Sequence, residues 1–352
     1  MSIYGAAMRY GYSNTRAKAM ESKLISSEVM RSIADAKDIN SILSILFQTD
    51  YNSAITKFGG LGISTTMLDF AVSENMAERV NKIAQITPKS DRHMIRGIIA
   101  RWDLNNVKRV LEAIERKQPY DAVSRYIISS AEFPSAMLQD AMRTESIEGA
   151  LRSLMRNRNY RHVLEMALAN YKRTGNLLEA MAAMDMEHYR ELGALVMELA
   201  KRHDASAKIL SMDIEMRNII TLIRAKRKGL RFAEISSSLI RNGNADTRAL
   251  GKLYNSSDSV ASFASRIKSF DLRDAADVYK EGGQLLSFEI SMRNQMFNAS
   301  LRLLRLSMLS FGSLVDYIYL KEVEVFTLRA LIKGREYGLT KDEISRLVVW
   351  NL

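Results

Sequence analysis

With 352 residues and 47% hydrophobic content, the chain is long enough for two or three domains and too apolar for global disorder. The absence of cysteine excludes disulfides, thiolate metal sites and a cysteine nucleophile, and fits a reducing cytosol. A formal net charge of +11 calls for acidic partners, whether nucleic acid, anionic lipid or an acidic protein surface.

Only Pro88, Pro119 and Pro134 break the backbone pattern, and frequent Ala, Leu, Met, Arg and Glu make the expected class all-α. Residues Tyr10–Lys23 predict a first helix carrying several positive charges; Arg9, Arg16 and Lys18 interrupt any apolar signal core. A second helix starts at Lys37-Asp38-Ile39 and closes at Phe47-Gln48-Thr49-Asp50-Tyr51. Gly59-Gly60-Leu61-Gly62 ends a helix and opens a loop; it lacks the Lys-Ser/Thr of a phosphate cradle and reads as a turn. Ser90-Asp91, after Pro88, starts a helix through Trp102 and Asp103. Thr174-Gly175-Asn176 splits a helical hairpin, and Asn242-Gly243-Asn244 makes a turn. After Gly282-Gly283 a long helix runs to about residue 310, with Gly312 as a point of interruption. The most apolar region, Leu285–Leu320, is broken by Glu289, Arg293, Arg302 and Arg305, so no run reaches the ~18–20 apolar residues of a membrane span. The expected protein is soluble, and no strand-like alternation is long enough to assign.

Two phrases recur. DIEMRNIITLIRAKRKGLRFAEI (Asp213–Ile235) carries Met216, Ile219, Ile220 and Ile223 at helical spacing. It returns as EVEVFTLRALIKGREYGLTKDEI (Glu322–Ile344), aligning Glu324 with Glu215, Gly338 with Gly229 and Glu343 with Glu234. A weaker copy sets Asp103 on Glu215, Asn106 on Asn218, and Val107, Val110 and Leu111 on Ile219, Leu222 and Ile223. The second phrase, a helix start with an acid at or just before it, stands at Ile39, Ile147 and Val260. Both phrases repeat with a period near 110 residues. Such a unit is a domain, not a small solenoid repeat. The expected architecture is three similar helical domains, 1–99, 100–208 and 209–352, about a pseudo-threefold axis. The last domain carries extra C-terminal helices, and Val315–Ile332 packs against the first unit.

No catalytic, cofactor or metal site is read in the chain. His93, His162, His188 and His203 are scattered, and none lies at i, i+4 to another. The acid–x–x–Asn pairs Asp103/Asn106 and Glu215/Asn218 lie along the edge of an apolar stripe, with Thr327 replacing Asn in the third copy. The expectation is that their polar groups satisfy one another where helices meet. Tyr51, Tyr160, Phe270 and the methionines read as core filling. Arg217, Arg224, Lys228 and Arg231 share one face if the helix continues, beside the apolar stripe, and form a candidate partner interface.

Tyr319–Ile344, the Glu215-x-x-Asn218 copy with Ile223-Arg224-Ala225-Lys226, and the opening Tyr12-Ser13-Asn14-Thr15-Arg16-Ala17-Lys18 resemble the C subunit of the archaeal-type (A-type/V-type) ATP synthase, the counterpart of the vacuolar ATPase d subunit. Thr327 departs from the pattern, as does Glu112 where the other copies have Arg224 and Lys333. The resemblance implies a funnel-like, non-catalytic rotor subunit that couples the central stalk to the proteolipid ring, for ion-driven ATP synthesis or ATP-driven ion transport. It would be a monomer within the complex, peripheral at the cytoplasmic face of the cell membrane through the ring. It would bind no nucleotide directly, and no nucleic acid is expected. A basic all-helical nucleic-acid binder, using Ile223–Lys228, or a helical scaffold also accounts for the charge.

Overall fold

The computed structural model describes residues 3–124, 126–128, 130–241, 246–304, 309–340, 343–344 and 348–349. Their regular secondary structure is helical, with no strand among the described residues. The first stretch holds α1 (Ile3–Glu21), α2 (Ser27–Asp35), α3 (Ile39–Leu46), α4 (Asn52–Phe58) and α5 (Thr65–Ile86). The second holds α6 (Arg92–Glu115), α7 (Tyr120–Ser124), α8 (Ser135–Met142), α9 (Ile147–Leu154), α10 (Arg161–Thr174) and α11 (Leu177–Lys201). The third holds α12 (Ser206–Arg227), α13 (Phe232–Ile235), α14 (Thr247–Asn255), α15 (Val260–Ser265), α16 (Arg273–Gly282), α17 (Leu286–Leu304) and α18 (Gly312–Glu336).

Three expectations need correction. The first helix begins at Ile3, well before Tyr10. Between the first helix and the one at Ile39 stands α2, which the sequence pattern does not announce. It is a single short amphipathic segment, capped by Ser26 and burying Met30, Ile33 and Ala34, that belongs to neither recurring phrase. Gly312 opens α18 and does not interrupt a helix already running. The expected turn at Asn242-Gly243-Asn244 lies outside the described residues.

Local hydrogen bonding repeats with the sequence period. α3, α9 and α15 each start on a side-chain cap, from Asp38, Ser146 and Ser259 to the backbone N–H groups of Ser41, Gly149 and Ser262. The ends of α6, α12 and α18 close in one way: the N–H groups of Gln118, Leu230 and Leu339 reach back to the carbonyls of Ala113, Ala225 and Gly334. That closure needs a left-handed residue just past the helix. Gly229 (φ 72°) and Gly338 (φ 67°) supply it, while Lys117 adopts φ 53° in the same place.

The chain divides into two compact units, 1–72 with 193–352, and 73–192. In the first, α18 packs against α1, α2, α3, α12 and α17, so the C-terminal helix does lie against elements of the first repeat. Leu314, Val315, Tyr317, Ile318, Leu320, Val325, Leu328, Leu331 and Ile332 are buried around its circumference, the pattern of a core helix. In the second unit α6 packs against α7, α8 and α9 over a core that includes Leu104, Val107, Val110, Leu111, Leu138 and Leu151.

Candidate functional site

The four basic residues share a helical face only if the helix runs past residue 228. It stops at Arg227, where Gly229 turns left-handed, and Arg231 begins α13 with Glu234. The row is therefore split. Arg217 lies beside Asp213, at 3.8 Å between Nε and Oδ2. Arg231 sits 3.1 Å from Glu234 in an exposed pair of little energetic weight. Lys226, from the same run, turns inward, donating to the Tyr254 carbonyl at 2.8 Å and lying 4.1 Å from its ring; burial lowers its pKa. Arg224, Arg227 and Lys228 are exposed, with no ion pair among the described residues. They form a bare cationic end to α12. Arg224 also borders a small cleft lined by Ile220, Leu285 and Leu286.

A second constellation is internal. The aligned acids Asp103, Glu215 and Glu324 are all buried, at 5%, 1% and 0% exposure. Glu324 accepts from the Tyr51 hydroxyl (2.7 Å), the Lys321 ammonium (2.6 Å) and the Ile25 N–H (2.5 Å), and Lys321 also donates to Tyr51 (3.0 Å). Asp103 accepts from the hydroxyls of Tyr160 and Ser130. Burial nevertheless lifts its pKa to about 6, outweighing both hydrogen bonds. Burial, and then the acid each faces, pushes the Tyr51 and Tyr160 hydroxyls well above their usual range. Both oxygens of Glu215 lack a hydrogen-bond donor among the described residues. Burial raises its pKa, opposed only by Ser269, which completes no bond of normal geometry.

The residues three positions on act separately from these acids. Asn106 clamps the backbone of Ile128, donating to its carbonyl at 2.7 Å and accepting from its N–H at 3.0 Å. Asn218 does the same to Ile240, at 2.8 Å for both bonds. Each spans 22 residues. Thr327 cannot form such a pair, and its buried hydroxyl has no partner among the described residues. The acid–x–x–Asn spacing thus carries two separate jobs: a buried acid, which faces a tyrosine at Asp103 but not at Glu215, and an amide standing in for a strand partner. Tyr51 and Tyr160 do more than fill the core, which corrects the reading of them as filling alone. Their recurrence at the helix start after the second phrase is the signal that points to it.

The described residues hold no group of three or more His, Asp or Glu arranged for a metal. His162 Nε2 lies 2.9 Å from Glu187, and His188 is buried against Tyr189. No described helix is long and apolar enough to cross a membrane.

The model of the ATP synthase (C/AC39) subunit family matches residues 13–347. The C subunit of the A-type ATP synthase of Thermoplasma volcanium is 21% identical over 348 residues, covering 95% of this chain and 96% of the relative. That of Haloquadratum walsbyi is 26% identical over 353 residues, covering 98% and 99%. The C subunit of the V-type ATP synthase of Deinococcus radiodurans is 22% identical over 341 residues, covering 96% and 91%.

Proposed function

This chain belongs to the ATP synthase (C/AC39) subunit family, and from that premise we propose that it is a non-catalytic subunit of an A-type/V-type rotary ATP synthase, coupling the central stalk to the membrane proteolipid ring. The match over residues 13–347 carries this reading. The nucleic-acid-binding alternative gains no support from these relatives. Its partners are other subunits of that complex; the finer assignment, to central-stalk subunits on one side and the ring on the other, belongs to the proposal, as does a peripheral place at the cytoplasmic face. The division into repeat domains 1–99, 100–208 and 209–352 is part of the same reading. It is supported by the threefold recurrence of the caps, of the helix closures and of the buried acids.

A coupling subunit works by rigidity and by docking surfaces, and features of the chain serve each need. The internal clamps at Asn106 and Asn218 fix chain segments without loop freedom. The bare cations Arg224, Arg227 and Lys228 offer an acidic partner a surface that needs no internal pair to be broken first.

In native membranes solubilised with mild detergent, a tagged chain should bring down proteolipid and nucleotide-binding subunits; a chain that purifies alone overturns the assignment. Reversing Arg224 and Lys228 together to Glu should weaken that recovery at low salt, and raising ionic strength should do the same to the parent. Normal recovery by a double variant whose circular dichroism is intact shows that this cationic end is not an interface.

A further inference from the structure

We propose that the seam between α12 and the segment 266–272 is a conformational switch, closed when Glu215 carries a proton and loosened when it does not. This goes beyond the coupling role and rests on a comparison of three equivalent positions.

Tyr51 and Tyr160 stand at the N-terminal boundaries of α4 and α10, where their carbonyls accept the first helical bonds from Ile55 and Leu164. The residue with that role at α16 is Leu272, whose carbonyl accepts from Ala276. Its backbone (φ −114°, ψ 15°) nearly matches that of Tyr160 (φ −112°, ψ 1°). Leu272 is 1% exposed and brings no hydroxyl. Counting three positions back from each acid, Lys321 beside Glu324 is answered by Ala100 beside Asp103 and by Met212 beside Glu215. Two of the acids are therefore locked by donors, and the third has neither the tyrosine that both of them face nor the cation that Glu324 alone holds.

A buried carboxylate without donors is far costlier than a buried carboxylic acid. With its proton, Glu215 is a polar side chain missing partners; without it, only Ser269, within the segment 266–272, favours the charge, and further relief needs water, which requires the seam to open. No charge among the described residues offsets this. α12 packs against α15, α17 and α18. On α12 itself Asp213 lies beside Arg217. α15 has no titratable side chain; beyond it Arg266 donates to the Ser256 carbonyl, Lys268 is exposed, and Asp271 pairs with Arg273. α17 holds the Glu289–Arg293 pair and Arg302, which bonds the Asn298 carbonyl. α18 holds Asp316 with Ser300, the Lys321–Glu324, Arg329–Asp69 and Lys333–Glu336 pairs, Arg335 on the Ala34 carbonyl, and Glu322. None of them contributes to the raised pKa of Glu215, which burial produces.

The test is hydrogen–deuterium exchange of the full chain, with amides of α12, α15 and residues 266–272 followed from pH 5 to pH 9 after correction for intrinsic rates. In the parent, opening of this seam should grow by up to about tenfold per pH unit above the ordinary glutamate range, until Glu215 itself ionises. Glu215→Gln should remove that growth and leave the pH response of α1–α3 unchanged. Leu272→Tyr, which supplies a hydroxyl in the manner of Tyr160, should end that growth at a lower pH, because a donor favours the charged form. If Leu272→Tyr does not fold, Glu215→Gln decides alone. The same pH response in parent and Glu215→Gln overturns the proposal.

Discussion

Replacing Lys321 by Met removes a buried cation and installs the residue type that the neighbouring repeat carries at Met212. Lys321 is 1% exposed and Glu324 is not exposed at all, so neither charge has water to fall back on. Removing one partner of a buried pair costs about 3–5 kcal/mol, because the remaining charge stays in a low-dielectric site. Glu324 keeps the Tyr51 hydroxyl and the Ile25 N–H, and Met fills most of the vacated volume, which places the loss near the lower end, about 3 kcal/mol. The unit containing the pair has about 230 residues. At roughly 2.1 cal/mol/K per residue its unfolding entropy is about 0.5 kcal/mol/K, so Tm should fall by about 6 °C. Glu324→Gln alone should cost a similar amount by stranding the ammonium. The double variant should recover most of either loss, since the amide still accepts from Tyr51 and no charge remains. Scanning calorimetry and urea melts of the full-length chain measure all four corners of this cycle. A single Lys321→Met variant within about 1 kcal/mol of the parent would show that the pair is not held as tightly as its geometry implies.

Asn218→Ala should destabilise by about 2–4 kcal/mol in a urea melt, because it leaves the N–H and carbonyl of Ile240 buried and unpaired. Thr327→Val, which swaps an unpartnered buried hydroxyl for a methyl group, should instead stabilise by about 1 kcal/mol in the same assay. Lys117→Gly should raise Tm, because a left-handed backbone costs a side-chain-bearing residue about 1 kcal/mol that glycine avoids; Gly229→Ala should lower it. Asp316 hydrogen-bonds Ser300, and burial raises its pKa from 3.8 to about 7. The folded chain thus holds a proton there that the unfolded chain releases, so its contribution is full below pH 3.8 and is lost as pH rises through about 7. Asp316→Asn should remove that slope from the pH dependence of Tm.

The fold is legible because its repeats are written in helix chemistry. The period aligns Gly229 with Gly338, and both prove to be the left-handed residue that closes a long helix. It aligns Glu234 with Glu343, and both accept from a backbone N–H at the start of the next helical turn, at Arg231 and Thr340. The same register carries a false expectation for the basic row. A helical wheel extends through Gly229 without noticing it, while the backbone does not. The glycine that makes the repeat recognisable is also what separates Arg231 from Arg224.

The buried acids are harder to see, for a reason set by topology. Tyr160 and Asp103 are 57 residues apart, but Tyr51 and Glu324 are separated by 273. The C-terminal helix serves the first repeat, so acid and tyrosine belong to different copies of the period, and no local spacing pairs them. Grouping aromatic residues by type sets Phe270 beside Tyr51 and Tyr160. Counting from the capping residues Asp38, Ser146 and Ser259 leads instead to Tyr51, Tyr160 and Leu272. The cap is the better ruler because its side chain fixes where each helix begins, whereas aromatic content varies with how the core is filled. Measured from the caps, the odd member is Leu272, the one of the three positions without a hydroxyl. An ionisable residue on an apolar stripe, in the one copy whose cap-counted position holds a leucine where its siblings have a tyrosine, is a conflict already written in the amino-acid order.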